Sequence, residues 1–331
     1  TRLAALEMIQ SGTTTFADMY YFEEEVARVA RAAGLRGILG QMIIGFPVAD
    51  AKTPAEGLRR AEAFIKEFAG DSLITPAPAP HSMYTVDQAS LTAARELSER
   101  YGLPLLIHLA ETEDEVAISR ERHKRTPVGY LDSIGLLGPR VVGAHCVWLD
   151  GDDIAIVKRR GVSVSHNPES NMKLASGTAP VPRYLREGIT VGLGTDGAAS
   201  NNDLDMFEAM RQAALLHKLV SRDPQAVPAS AALEMATIGG ARALGLGSKI
   251  GSLEAGKRAD IIVVSMKGAR QTPAYNPVSH LVYVARGDDV RTTIVDGRVL
   301  MRDRRVLTLD EGSVIAAAQA LSAKVREAVR K

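Results

Sequence analysis

Short apolar runs rich in β-branched residues alternate along the chain with longer stretches in which apolar positions recur every three or four residues. Runs at 13–19, 37–44, 73–77, 105–109, 141–144, 162–165 and 190–193 read as strands. The intervening segments 23–33, 54–68, 86–101, 152–160 and 181–187 read as helices. Many of them close on a glycine, the residue that most easily takes the left-handed conformation at a helix C-terminus. Strand-then-helix repetition with nearly continuous apolar strands predicts a parallel sheet covered by helices. The predicted class is α/β, as a (β/α)8 TIM-type barrel. Seven units are visible and a closed barrel has eight. The eighth is expected before Thr1, because the chain opens without methionine, directly into the helix-like run 1–10.

After Gly197 the pattern changes. Helical runs at 204–219 and 229–244 precede a β-rich tail with strands at 259–265, 290–295 and 298–302. Asp296-Gly297 between two apolar runs is a strong hairpin signal. The predicted organisation is a hydrolase barrel over 1–250, part of a small β-sandwich over 251–312, and a C-terminal helix over 313–331.

Composition narrows the picture without deciding it. Of 331 residues, 46% are hydrophobic and 24% charged, the balance of a soluble globular protein. Lys+Arg 40 against Asp+Glu 39 leaves a formal charge of +1, so no global field recruits nucleic acid or an anionic membrane. No apolar stretch is long enough to span a bilayer, and no signal peptide is visible. The single Cys146 cannot form an intrachain disulfide, which fits a reducing cytoplasm. The expected partner is a small molecule, with neither nucleic acid nor membrane involved, and a homo-oligomer remains open.

The chemistry lies where histidines and acids fall against the strands. His81, His108, His145, His166 and Asp196 stand at or just past five successive strand ends. In a (β/α) barrel those ends open on one face, where active sites are built. Imidazoles and carboxylates gathered at one mouth suit one divalent metal per chain, zinc first, with iron or manganese as alternatives. Such a metal lowers the pKa of a bound water to about 7. The reaction class that needs this is hydrolysis of a C–N, C–O or C–Cl bond. His108 and Asp196 are the candidate ligands, and Glu111, three residues past His108, is the candidate general acid/base. His145 is expected beside the reaction and His81 against the substrate. His123, His217 and His280 lie away from strand ends and are expected to be structural. Cys146 next to His145 is no nucleophile pair, since neighbours on a strand point to opposite faces.

These residues occur in segments that resemble the amidohydrolase superfamily. The branch is that of the aminohydrolases and chlorohydrolases, which contains methylthioadenosine/S-adenosylhomocysteine deaminases. The segments are Pro80-His81-Ser82-Met83-Tyr84-Thr85, His108-Leu109-Ala110-Glu111-Thr112, Gly143-Ala144-His145-Cys146, the run 164–174 and the run 193–202. The run 251–260 resembles the family's return into its β-sandwich. The resemblance implies that His108 and Asp196 bind the metal and that Glu111 shuttles protons to the purine ring nitrogen. It further implies that His145 orients the attacking water, His81 touches the substrate, and Glu23 binds ribose hydroxyls. The implied reaction removes ammonia from C6 of an adenosine-type nucleoside, leaving an inosine-type product. Alternatives are a triazine-type chlorohydrolase or another heterocycle aminohydrolase, and a fragment without activity.

Two departures shape the expectation. The family carries a His-x-His pair at its first barrel strand, supplying two further ligands, and this chain has none. Gln41 stands where some members align an arginine that grips the amino-acid carboxylate of S-adenosylhomocysteine. A carboxamide lacks the charged bidentate fork of arginine. A neutral 5′-substituted adenosine is therefore expected as substrate.

Overall fold

The structure is a computed structural model that describes residues 1–329. Seven strands run parallel in chain order. Strands β1 (Thr15–Tyr20), β2 (Arg36–Ile43) and β3 (Ile74–Pro80) form one sheet. Strands β4 (Leu105–Leu109), β5 (Val141–His145), β6 (Ser163–His166) and β7 (Val191–Leu193) form a second. The two meet where the His108 N–H donates to the His81 carbonyl at 3.0 Å, so the seven strands follow one another in a single arc. Helices including Glu23–Ala33, Pro54–Glu67, Gln88–Tyr101, Gly151–Arg160 and Val181–Glu187 return the chain between strands, as a (β/α) barrel requires.

The local reasons are legible in the residues. All eight residues of β2 are buried, which is why the strand is apolar but for Arg36 and Gln41, each hydrogen-bonded to an aspartate. Gly40 within it is forced by packing: a Cβ there would stand 2.7 Å from that of Ala79 on β3. The helix Glu113–His123 carries no apolar stripe, so periodicity passes over it. A cap shows where it begins, as the Thr112 hydroxyl accepts from the Glu115 N–H at 3.2 Å. Pro127–Ser133 and Pro168–Lys173 are short helices that open on a proline, the residue best tolerated at the first helical position.

Beyond β7, the helix Met206–Ser221 precedes a continuous helical stretch whose middle, Met235–Gly239, is a π-turn. This lets the backbone close on β7, where a Cβ on Gly239 would stand 2.6 Å from the Val191 carbonyl oxygen. Strands β8 (Ile261–Val264), β9 (Val290–Val295), β10 (Arg298–Arg302) and β11 (Arg305–Val306) form an antiparallel sheet in the order β11-β10-β9-β8. At the β9–β10 turn Asp296 and Gly297 both have positive φ, 50° and 79°, the pair a tight hairpin demands. Arg36 at the start of β2 fastens this sheet to the barrel, donating from Nε and Nη2 to the two carboxylate oxygens of Asp260 at 3.0 Å each. Both side chains are buried, and the paired geometry satisfies both charges. One apolar cluster runs from Ala5 and Ile9 through Leu105, Ile107 and Val164 to Val290 and Leu300, so barrel and sheet share a core. The last helix, Glu311–Val329, buries only Val314. The predicted C-terminal helix, 313–331, includes residues 330 and 331, which lie outside the described residues.

Candidate active site

The C-terminal ends of β3, β4 and β5 bring three imidazoles into a row. The ring centroids of His81 and His108 are 4.8 Å apart, and those of His108 and His145 are 5.6 Å apart and nearly parallel. Each ring is held through its Nδ1. His81 Nδ1 meets the Thr85 hydroxyl at 2.8 Å, His108 Nδ1 meets the His81 carbonyl at 2.9 Å, and His145 Nδ1 meets Oδ1 of Asn171 at 2.9 Å. With Nδ1 held by an oxygen in each case, Nε2 of His108 and of His145 is the nitrogen left free for other partners. Burial and the neighbouring imidazole hold His108 below its ordinary pKa, and the same two causes push His81 down to about 4. Both rings are therefore neutral near pH 7.

Glu111, on the loop after β4, closes on this row. Its Oε2 stands 3.8 Å from Nε2 of His145, and its Oε1 accepts from the Ser176 hydroxyl at 3.3 Å. Asp196, just past β7, accepts from the Ser170 hydroxyl at Oδ2 and from the Gly197 N–H at Oδ1, both at 2.7 Å. Ser170 and Asn171 are adjacent on the helix Pro168–Lys173, so that one turn of helix holds both Asp196 and His145. The strand ends are bent to do this. Ala110 (φ 49°), His145 (φ 71°), Cys146 (φ 48°) and Asp196 (φ 62°) are non-glycine residues in the left-handed region. Such strain concentrates at functional sites, where surrounding contacts must maintain it. Here the Cys146 carbonyl accepts from the buried Tyr184 hydroxyl at 2.6 Å, and the Cys146 N–H donates to the Leu109 carbonyl at 3.0 Å. The Cys146 thiol is fully buried, and burial pushes its pKa far up, which fits a packing role.

Glu23 and Gln41 lie in a second, fully buried polar cluster behind the ends of β1 and β2. The Gln41 amide donates to Oδ2 of Asp50 at 2.9 Å, the Phe22 N–H donates to the same oxygen at 2.9 Å, and the Tyr20 N–H donates to Oε1 of Glu23 at 2.8 Å. Three acceptors in this cluster, Glu23 Oε2, Gln41 Oε1 and Asp50 Oδ1, are buried without a hydrogen-bond partner. Burial, then the charge of Asp18, raises the Glu23 carboxyl well above its ordinary pKa. Asp18 on β1 links the two clusters electrostatically, since Asp196 also bears on its titration. The nearby Arg60 is engaged by the carboxylates of Glu24 and Asp50.

His166 is not in the row. Its Nε2 meets Nε2 of His217 at 3.0 Å in the core, and burial holds both rings below their ordinary pKa, His166 well below and His217 at about 4. Sequence reasoning passed over Asn171, Ser170, Ser176 and Asp50. Asn171 lies in the quoted run 164–174, but nothing in its type or spacing marked it as the partner of His145.

His108 and Asp196 have the chemistry of metal donors. A ligating histidine ordinarily gives its other N–H to a carbonyl or carboxylate, as His108 does, and a ligating carboxylate is itself hydrogen-bonded, as Asp196 is. These donors fit a divalent cation in kind. Among the described residues no group of three or more His, Cys, Asp or Glu side chains is gathered closely enough to hold one, and zinc ordinarily takes three or four protein ligands. Likewise, among the described residues no helix is long and apolar enough to cross a membrane.

The profile of the amidohydrolase family matches residues 1–300. A 5-methylthioadenosine/S-adenosylhomocysteine deaminase from Syntrophobacter fumaroxidans is 51% identical over 315 residues, 95% of this chain and 72% of that protein. A 5′-deoxyadenosine deaminase from Methanosarcina mazei is 48% identical over 96% of this chain and 73% of its own length. The crystal structure of an adenosine deaminase from Xanthomonas campestris with bound zinc superposes with a TM-score of 0.96. That protein is 38% identical, and the match covers 98% of this chain and 74% of the other.

Proposed function

Because the chain belongs to the amidohydrolase family, we propose that it is a metal-dependent deaminase of a 5′-substituted adenosine, releasing ammonia and leaving an inosine-type product. The observation that carries this reading is the approach of Glu111 Oε2 to His145 Nε2, 3.8 Å, beside the neutral ring of His108. A carboxylate and an imidazole nitrogen that converge in this way can both engage one water, as hydrolysis at an aromatic carbon needs. The named deaminases among its relatives support the same class.

His108 and Asp196 would hold the divalent cation, zinc by analogy with the neighbouring deaminase. Bound there, it would supply a water whose pKa is lowered to about 7. The chain's own residues do the rest. His145, fixed by Asn171, accepts from the attacking water at Nε2 and so aims its oxygen at C6 of the adenine. Glu111 takes the proton at its carboxylate and hands it to the purine ring nitrogen, then assists departure of the amino group as ammonia. His81, neutral and held by Thr85, offers its other nitrogen to the substrate.

The buried acceptors favour a nucleoside over a triazine. Glu23 Oε2, Gln41 Oε1 and Asp50 Oδ1 have no donor of their own, and the hydroxyls of a ribose are donors. A triazine has no hydroxyl to give them. Gln41 brings no charge and Arg60 is already engaged, so a neutral 5′ group suits this end better than a carboxylate. Turnover of 5′-deoxyadenosine, methylthioadenosine, S-adenosylhomocysteine and a chlorotriazine under identical conditions tests the proposal. The two neutral nucleosides should lead, and a lead for the triazine would overturn it.

A further inference from the structure

Glu115 lies one turn into the helix Glu113–His123, in a run of charged residues, and yet it is 2% exposed. Its carboxylate faces back to the loop that carries Glu111. Oε1 accepts from the Ala110 N–H at 3.0 Å and Oε2 from the Glu111 N–H at 2.9 Å. The two amides are consecutive, and Ala110 between them and β4 holds a strained φ of 49°. The Glu111 N–H shares its peptide unit with the Ala110 carbonyl, which therefore points away from Glu115 and accepts from the N–H groups of Val147 and Trp148, both at 3.0 Å. Those residues lie two and three positions past His145 in the chain. One carboxylate thus fixes the backbone of Glu111 on one side and, through one peptide unit, the loop of His145 on the other.

Taking Glu111 to be the acid/base residue of the deaminase described above, we propose that Glu115 is a positioning residue that sets the separation of Glu111 from His145. The two bonds need both carboxylate oxygens as acceptors, so no neutral isostere replaces them. A glutamine has one acceptor oxygen and turns an NH2 donor toward an amide N–H. Burial raises the Glu115 carboxyl to about 7, and the two N–H bonds oppose that rise. Keeping a carboxylate in such a place is costly, and the two bonds it makes are what it does there.

The test is steady-state kinetics of Glu115→Gln in the metal-supplied enzyme, in wild-type and Glu111→Gln backgrounds. Displacing a catalytic group by a fraction of an ångström to 1 Å costs up to about 10²-fold. Glu115→Gln should therefore lower kcat by roughly 10- to 100-fold while leaving KM within about two-fold. In the Glu111→Gln background it should lower the residual rate no further, because its effect passes through Glu111. Glu115→Asp, which keeps the charge but withdraws it by one methylene, gives a milder loss of the same kind and carries the test if the glutamine variant does not fold. An unchanged kcat, a rise in KM alone, or the same loss in both backgrounds would overturn the assignment. The wild-type rate on the nucleoside, taken in the same series, reports separately on the deaminase reading.

Discussion

Nε2 of His145 faces Oε2 of Glu111 across 3.8 Å while Nδ1 of the same ring is held at 2.9 Å by Asn171. That arrangement assigns the two residues different work, because an imidazole held at Nδ1 by Asn171 has only Nε2 to orient the water. Glu111 is left as the group that moves the proton. Glu111→Gln keeps the shape and the contact with Ser176 but cannot take a proton. It should lower kcat by about 10²–10⁴-fold with metal content unchanged, the range usual for a general acid/base. Rate and metal stoichiometry measured on one preparation check this, and an unchanged rate removes Glu111 from the mechanism.

Glu23→Ala addresses the buried acceptors. Removing Glu23 Oε2 deprives a ribose hydroxyl of its partner, so kcat/KM on a nucleoside should fall by about 10-fold, as for loss of one buried hydrogen bond. The effect should vanish on a substrate whose ribose hydroxyls are absent. Equal losses on 5′-deoxyadenosine and on its 2′,3′-dideoxy counterpart would show that Glu23 acts on the fold instead.

Metal dependence should be strong and affinity modest. With two donors of the right kind in the described residues, the site is expected to lose its cation to a chelator readily and to recover activity with zinc in excess. His108→Ala and Asp196→Asn should each abolish that recovery. Elemental analysis before and after chelation checks it, and activity that survives full removal of metal contradicts it.

Stability should fall as pH rises through neutrality. Burial, then the charge of Asp203, raises the Glu169 carboxyl to about 7, and burial does the same for Glu115. The folded state therefore holds these protons more tightly than the unfolded chain, whose glutamates titrate at about 4.3. Stability is complete below the unfolded value and is lost as pH climbs to about 7. Glu169→Gln keeps the side-chain volume and removes the charge, so it should raise Tm at pH 8 and leave it nearly unchanged at pH 4.5. Thermal melts across that range decide the matter, and a Tm gain confined to acid pH would reverse the sign.

The strand ends were legible because a parallel barrel announces itself twice. Runs such as Leu105–Leu109 are apolar but for His108, and a polar residue near the C-terminal end of such a run faces the mouth, His166 being the exception that turns to His217 in the core. His81, His108, His145 and Asp196 were found that way. What supports them was not legible. Asn171, Ser170 and Ser176 reach the site by hydrogen bonds across loops, and no periodicity marks a residue that acts at a distance in sequence. Nothing in the sequence sets Glu115 apart from the other charged residues of 113–123, and only the fold shows its carboxylate turned inward. His217 read as structural, yet nothing in the sequence indicated that its partner would be His166. Gln41 was singled out for what it replaces, while its tie to Asp50, nine residues on, belongs to the folded loop.

The most direct test of the account is ammonia release from 5′-deoxyadenosine by the zinc-supplied protein in 18O-labelled water, with Glu111→Gln as control. The account predicts one ammonia per nucleoside consumed, one labelled oxygen at C6 of the inosine-type product, and neither in the Glu111→Gln variant beyond a small residual rate. No ammonia from any 5′-substituted adenosine, with chloride released from a chlorotriazine under the same conditions, would contradict it.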